Sequence, residues 1–174
     1  MRPSSLALAA ATATLAFVLA GCGKSPSQSA AEMAVAAATG GKVQVSRSGD
    51  QSQVTINTDQ GSATVNSGTN LAIPKDFPSD VHLPSGKYSV TNVMQMGPAT
   101  VVTLHTAVPV ATEFGEYDTA MKAGGWKEVM AVQSSNSASA LSFQKDQRVV
   151  SVSMESEPDG TNITLQHVVQ KPGE

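Results

Sequence analysis

Met94 and Met96 lie two residues apart in a β-rich run, and residues at that spacing on a strand point to the same side. Two thioethers side by side suit Cu(I), and His105 on the next run offers a third donor. Methionine is also an ordinary filler of irregular apolar gaps, and two sulfurs with one imidazole make a thin ligand set. The other histidines, His82 and His167, fall on separate elements without metal-ligand spacing. The stretch Glu155-x-Glu157-x-Asp159-Gly160 resembles a calcium loop only in part. Such a loop needs Asp at its first place and a bidentate Glu at its twelfth, where this chain has Glu155 and Gln166. A hairpin is the better expectation there. A hydrolase would need a nucleophile held by a base, and neither Gly-x-Ser-x-Gly nor His-Glu-x-x-His occurs. Glu113 and Glu116, three apart on a helical pattern, are expected on a solvated face. The chain is thus expected to be no enzyme and to need no cofactor.

The remaining reactive residue is Cys22, the only cysteine, which therefore has no disulfide partner within the chain. Before it come Met1-Arg2, an uncharged stretch from Leu6 to Leu19, and small residues, the three zones of a secretory signal. The stretch is shorter than the roughly twenty apolar residues of a membrane-spanning helix. An ordinary secretory signal that happens to hold a Cys, or a buried thiol, would account for Cys22 alone. Leu19-Ala20-Gly21-Cys22, at the end of such a stretch, resembles the lipobox of bacterial lipoproteins. The resemblance implies cleavage before Cys22, acylation of its sulfur, and a membrane anchor in the cell envelope. Two or more acyl chains hold a protein stably where one does not. In the resembled class an Asp after the cysteine favours the inner membrane. Gly23 stands there, which points to the outer membrane, facing the periplasm, in a Gram-negative host.

Composition narrows the partners. The full chain carries 11 basic and 14 acidic side chains, a formal charge of −3. No Lys/Arg cluster is present, so no electrostatic footprint for nucleic acid is expected, nor a polybasic hold on an anionic membrane. Aromatics make up 4% of residues and fall mostly at core-like positions, which argues against a stacking platform for sugars or bases.

The elements that must position these residues follow in order. Residues 1–21 are the expected signal peptide, and 22–42 the lipidated Cys with a flexible tether. Within it Ala30–Thr39 has the composition of a short helix, which at that length is marginal alone. Residues 43–69 hold Val43, Val54 and Val65 at eleven-residue spacing, separated by turn chemistry. This predicts a weak three-stranded meander, either an arm leaning on the main domain or an edge that adds a strand to a partner. From residue 70 to 170 a core domain is expected. Pro74, Pro78 and Pro84 hold an extended entry pinned by Ile73, Phe77, Val81 and Leu83. Tyr88–Met96 and Ala99–His105 read as a hairpin around Gly97-Pro98. Val110, Phe114, Tyr117 and Met121 form one helical stripe between Pro109 and Gly124-Gly125. Four strands follow. In the first, Trp126, Glu128, Met130 and Val132 are expected on one face. The last two flank a type I turn, Glu157-Pro158-Asp159-Gly160, with its glycine left-handed. Residues 171–174 are a tail.

Short turns make these strands antiparallel, and one helix covers one face. The predicted class is therefore α+β, an antiparallel sheet with a single amphipathic helix in the order β-β-α-β-β-β-β, after a β-rich arm of low hydrophobicity. Residues 73–169 also resemble a class of small bacterial lipoprotein domains. The likeness lies in Asp76-Phe77-Pro78, the helix ending at Gly125-Trp126, and Gly160-Thr161-x-Ile163-x-Leu165. It implies a fold and carries no catalytic residues. The functional expectation is a lipid-anchored envelope protein acting by contact on another envelope protein, through the sheet edge and face that hold Met94, Met96 and His105. The alternative is a small-ligand or copper-binding periplasmic module.

Overall fold

The computed structural model describes residues 41–59, 61–135 and 137–170, with the side chain of Ser135 outside the description. The expected signal, the expected lipobox with Cys22, most of the expected tether and the tail lie outside these residues. Among those described, nine strands and one helix form a single antiparallel sheet with one helix, an α+β arrangement. The strands are β1 (Lys42–Ser48), β2 (Gln51–Thr58), β3 (Gly61–Ser67), β4 (Tyr88–Met96), β5 (Ala99–Thr106), β6 (Lys127–Ser135), β7 (Ala138–Lys145), β8 (Arg148–Glu157) and β9 (Gly160–Val169). Helix α1 (Val110–Ala123) joins β5 to β6. Their order across the sheet is β1-β2-β3-β4-β5-β9-β8-β7-β6. The three strands of residues 42–67 thus continue the sheet beyond β4 through pairs such as Val65 with Met94. They cover neither of its faces.

One face is dry. Val90, Val93, Val102, Leu104, Ile163, Leu165, Val150, Val152, Met154, Leu141 and Phe143 all point into it, as the two-residue period of a strand requires. Helix α1 lies over β6, β7 and β8, burying Val110, Tyr117 and Met121, with Phe114 at the margin. Phe77 and Val81 are buried in the same core, and Leu71, Ile73 and Leu83 pack against it. The proline-rich entry is therefore the rest of the covering layer.

Local chemistry explains the ends of α1. Pro109 precedes its first turn with φ −64°, and its carbonyl accepts from the Thr112 and Glu113 amides. At the other end Gly125 adopts φ +79°. Its amide donates to the Lys122 carbonyl and that of Trp126 to the Met121 carbonyl, the paired bonds of a Schellman stop. Trp126 and Met121, apolar partners across that stop, are both buried. The Trp126 indole also donates to the Asp80 carbonyl at 2.9 Å, fastening helix end to entry segment. Asp80 takes a two-pronged bond from Arg148 at 2.7 and 2.9 Å and a third from Lys145 at 2.9 Å. Both cations also lie over the Trp126 ring.

Two local expectations need correction. Glu113 and Glu116 do not sit on a solvated helix face: Glu113 is 1% exposed, and Glu116 is half-buried against the entry segment. His82 and Ser85 of the entry segment meet Glu116 on the flank of α1, and Glu113 lies beside Thr106. The residues from Trp126 to Val132 do not share one face either. A bulge at Val129 shifts the register, so Glu128 lies opposite Phe143 while Met130 and Val132 lie opposite Ser142 and Ala140 on the other side. Gly160 opens β9 at a positive φ of +152°, and a Cβ there would also meet the Thr106 carbonyl oxygen at 1.9 Å. Backbone angle and close approach together demand this glycine.

Candidate functional site

The two faces of the sheet exchange polarity along its width. On the side away from α1, the middle strands present Thr103, Thr164, Ser151, Ser153, Ser142, Asn162 and Gln166. Towards the first strands the same side turns apolar. Register places Val43, Ile56, Ala63, Met96 and Ala99 in one row and Val45, Val54, Val65, Met94 and Val101 in the next. Ten apolar side chains in two neighbouring rows thus span five strands. Below them, on the helix side, β1 to β3 carry Gln44, Gln53, Asn57, Thr64 and Asn66. There the Gln53 amide donates to Asn66 at 2.8 Å. The apolar members of β1–β3 therefore face away from the core of the domain, and no described element lies over them. The lateral contacts within the rows leave most of them partly exposed, and Met96 is 55% exposed.

The outer row deepens into a groove of about 510 Å³ running across β2 to β5. Ile56, Thr58, Ala63, Met96, Pro98 and Ala99 are among the residues that line it. A second apolar patch lies at the far edge of the same face, where Met130 and Val132 are 47% and 45% exposed.

Met94 and Met96 sit next to each other in these rows. His105 is on the same face but stands opposite Ser89 and Asn162, four residues along β5 from the Val101 that pairs with Met94. Four residues of strand are about 13 Å, so the imidazole is not brought to the sulfurs. His105 Nε2 instead lies 3.2 Å from the exposed Asp159 carboxylate, in a shallow hollow with Tyr88 and Ser89. Cys22 lies outside the described residues. Among those described, no three His, Cys, Asp or Glu side chains are grouped to hold a metal ion.

A polar cluster that the sequence reading did not bring together lies under the entry segment. Glu116 Oε1 accepts from the Ser85 amide at 2.9 Å, from the Ser85 hydroxyl at 2.5 Å, and lies 2.9 Å from His82 Nε2. These bonds hold its carboxyl below the usual range, the Ser85 hydroxyl most of all. Serine, histidine and glutamate are all present, but the hydroxyl and the imidazole share one carboxylate oxygen. The serine hydroxyl is held by the carboxylate and not by the histidine. One turn away, Glu113 is pushed up by burial, and further by the Glu116 charge, with Thr106 opposing. Glu113 Oε2 and the Tyr117 hydroxyl have no hydrogen-bond partner. Burial also raises the Tyr117 phenol far above its ordinary value. His167, edge-on to Phe77, is lowered by burial and then by Arg148. Its imidazole is buried at the edge of the core.

No family model, no curated protein and no solved structure matches this chain. What the arrangement can do must come from its own surface. A broad apolar face rimmed by hydroxyls and amides is suited to burying another apolar surface.

Proposed function

We propose that this protein is a lipid-anchored envelope protein that acts by contact, with the apolar side of β1–β5 as its binding surface for a second envelope protein. Acylation of Cys22 supplies the membrane attachment, and no nucleic acid or catalytic step takes part. In this reading the core is a β-β-α-β-β-β-β unit whose amphipathic helix closes one face, leaving the other for the partner. The observation that carries it is the polarity exchange: Val43, Val45, Val54, Ile56, Ala63 and Val65 face away from the core they could have joined. Sheet-forming residues placed so contribute little to folding and much to association, since burial of apolar surface is the main driving term in both.

Crosslinking in intact cells, followed by purification of the lipidated protein and mass spectrometry of its companions, tests this. One dominant protein partner is expected, lost when Cys22→Ser misplaces the chain. Absence of any specific partner would reject the contact reading. The groove of about 510 Å³ favours one alternative, a small apolar ligand lying on Ile56, Ala63, Met96 and Ala99, which would copurify and be seen by native mass spectrometry. Copper at Met94 and Met96 would need a third ligand other than His105.

A further inference from the structure

We infer that the outer apolar row is a binding site for one long-chain fatty acid, with its tail in the groove and its carboxylate at Lys127. The site reaches past the contact surface proposed above, onto β6–β9, and its geometry does not depend on a protein partner.

Three observations lead to it. The first is how far the row runs. It does not stop at β5: Ala99 pairs with Val168, Val168 with Val149, Val149 with Gln144, and Gln144 with Lys127. Residues directly opposite on neighbouring strands share a face, so all of these stand on the side away from α1. Val168 and Val149 are half-buried. An unbroken apolar line thus extends from Val43 on β1 to Val149 on β8. The inner row has no such reach, because after Val101 it passes to Gln166, Ser151 and Ser142. Over β9 and β8 the apolar strip is one side chain wide. It suits a single unbranched chain, and not the paired chains of a phospholipid.

The second is the difference between the two ends of the line. At the β6 end it closes on an amide and an ammonium, Gln144 and Lys127, both exposed. Lys127 forms no ion pair among the described residues. At the β1 end the last side chain is Val43, and the neighbouring Lys42 belongs to the opposite face with Asn57. The strip is therefore apolar along its length and positive at one end only. An ammonium and an amide N–H are both donors that a carboxylate accepts from.

The third is the match of length and hollow. From Gln144 to Ala63 there are five strand spacings, about 24 Å, the reach of an extended long-chain fatty acid. With the carboxylate between Gln144 and Lys127, the methyl end therefore lies among Ile56, Ala63 and Met96. That is where the row deepens into the groove of about 510 Å³, a volume within the range of small-molecule sites. Gly61 and Gly97, which have no side chains to fill it, are part of its lining. The flexible thioether of Met96 can follow the contour of a methylene chain.

Photolabelling tests the tail and the head together. The purified protein, in phosphatidylcholine nanodiscs, is given palmitic acid carrying a diazirine at its methyl end, and labelled peptides are mapped by mass spectrometry. Label is expected at Ile56, Ala63 or Met96, and unlabelled palmitic acid is expected to displace it. Lys127→Gln is expected to cut this labelling about three- to fivefold and to leave labelling by the matching fatty alcohol unchanged. Met96→Gln is expected to lower both. Lys127 and Met96 are exposed, so neither substitution threatens the fold. Label scattered over the open face, or label that palmitic acid does not displace, would overturn the site. So would a Lys127→Gln variant that loses both probes equally or neither. Capture of a protein partner in cells without displaceable label would retire the fatty-acid site alone. Displaceable label without a partner would retire the contact reading alone.

Discussion

Glu113 presents a carboxyl group inside an otherwise apolar helix contact, with one oxygen lacking a partner. Burial raises its pKa above the ordinary 4.5, so the folded state holds the proton more tightly than the unfolded chain. The stability this gives is complete below pH about 4.5 and is lost as pH rises through the higher folded value. Glu113→Gln removes that dependence. It is expected to be more stable than the parent by about 1 kcal/mol at pH 7, with the difference shrinking towards pH 4 in urea titrations. Asp80 behaves in the opposite sense. Its bonds from Arg148, and then Lys145, hold its carboxyl well below the usual range, so it contributes above pH about 3.8 and its contribution fades as acid protonates it. Asp80→Asn, which loses the two-pronged Arg148 pair, is expected to cost about 1–2 kcal/mol at neutral pH. It should also loosen Arg148 and Lys145 from the Trp126 ring, seen as a change in indole fluorescence before global unfolding.

Turn and element chemistry show what a single sequence yields and where it stops. Helix α1 was legible because Val110, Tyr117 and Met121 repeat on one stripe between a proline and two glycines. The hairpins were legible because strand and turn signals are local. The contacts of Glu116 were not, because His82 and Ser85 come from 34 and 31 residues away in the chain. Nor was the bulge in β6: alternation of apolar residues predicts a face only while the register is unbroken, and Val129 breaks it. The candidate site was half legible. Met94 and Met96 were adjacent by period alone, but their neighbours Ile56, Ala63 and Val65 came from strand order, which local pattern does not encode. Gly160 illustrates the same divide. Part of its demand is set by the Thr106 carbonyl, across from the start of β9. Gly160→Ala is accordingly expected to lower stability by about 3 kcal/mol, several times the cost of the same change in an open turn, as read by the thermal midpoint. Gly49, with nothing near its missing Cβ, is the comparison; only its positive φ should matter there.

For the whole molecule, the sheet is one continuous object with two different halves. The half under α1 and residues 71–84 is a folded core, and the half built by β1–β3 has its apolar side outward. Substituting both Met94 and Met96 by Gln touches only the second half. The thermal midpoint is expected to stay within a few degrees, because neither side chain belongs to the buried core, while recovery of the crosslinked partner falls at least tenfold. A drop in stability instead would assign those side chains to folding.

The strand order also leaves two unlike borders. β6 carries two register breaks, at Val129 and Ser134, where the strand is bent out of line. β1 pairs with β2 without interruption along all seven of its residues. A straight border can accept another strand, whereas a broken one resists it. Head-to-tail stacking, β1 of one molecule on β6 of the next, would repeat without end and make fibres. The breaks in β6 remove half of that joint. What remains is β1 against β1, a two-fold arrangement that consumes both straight borders and then stops. The irregularity at one end of this open sheet thus limits how far copies of it can polymerise.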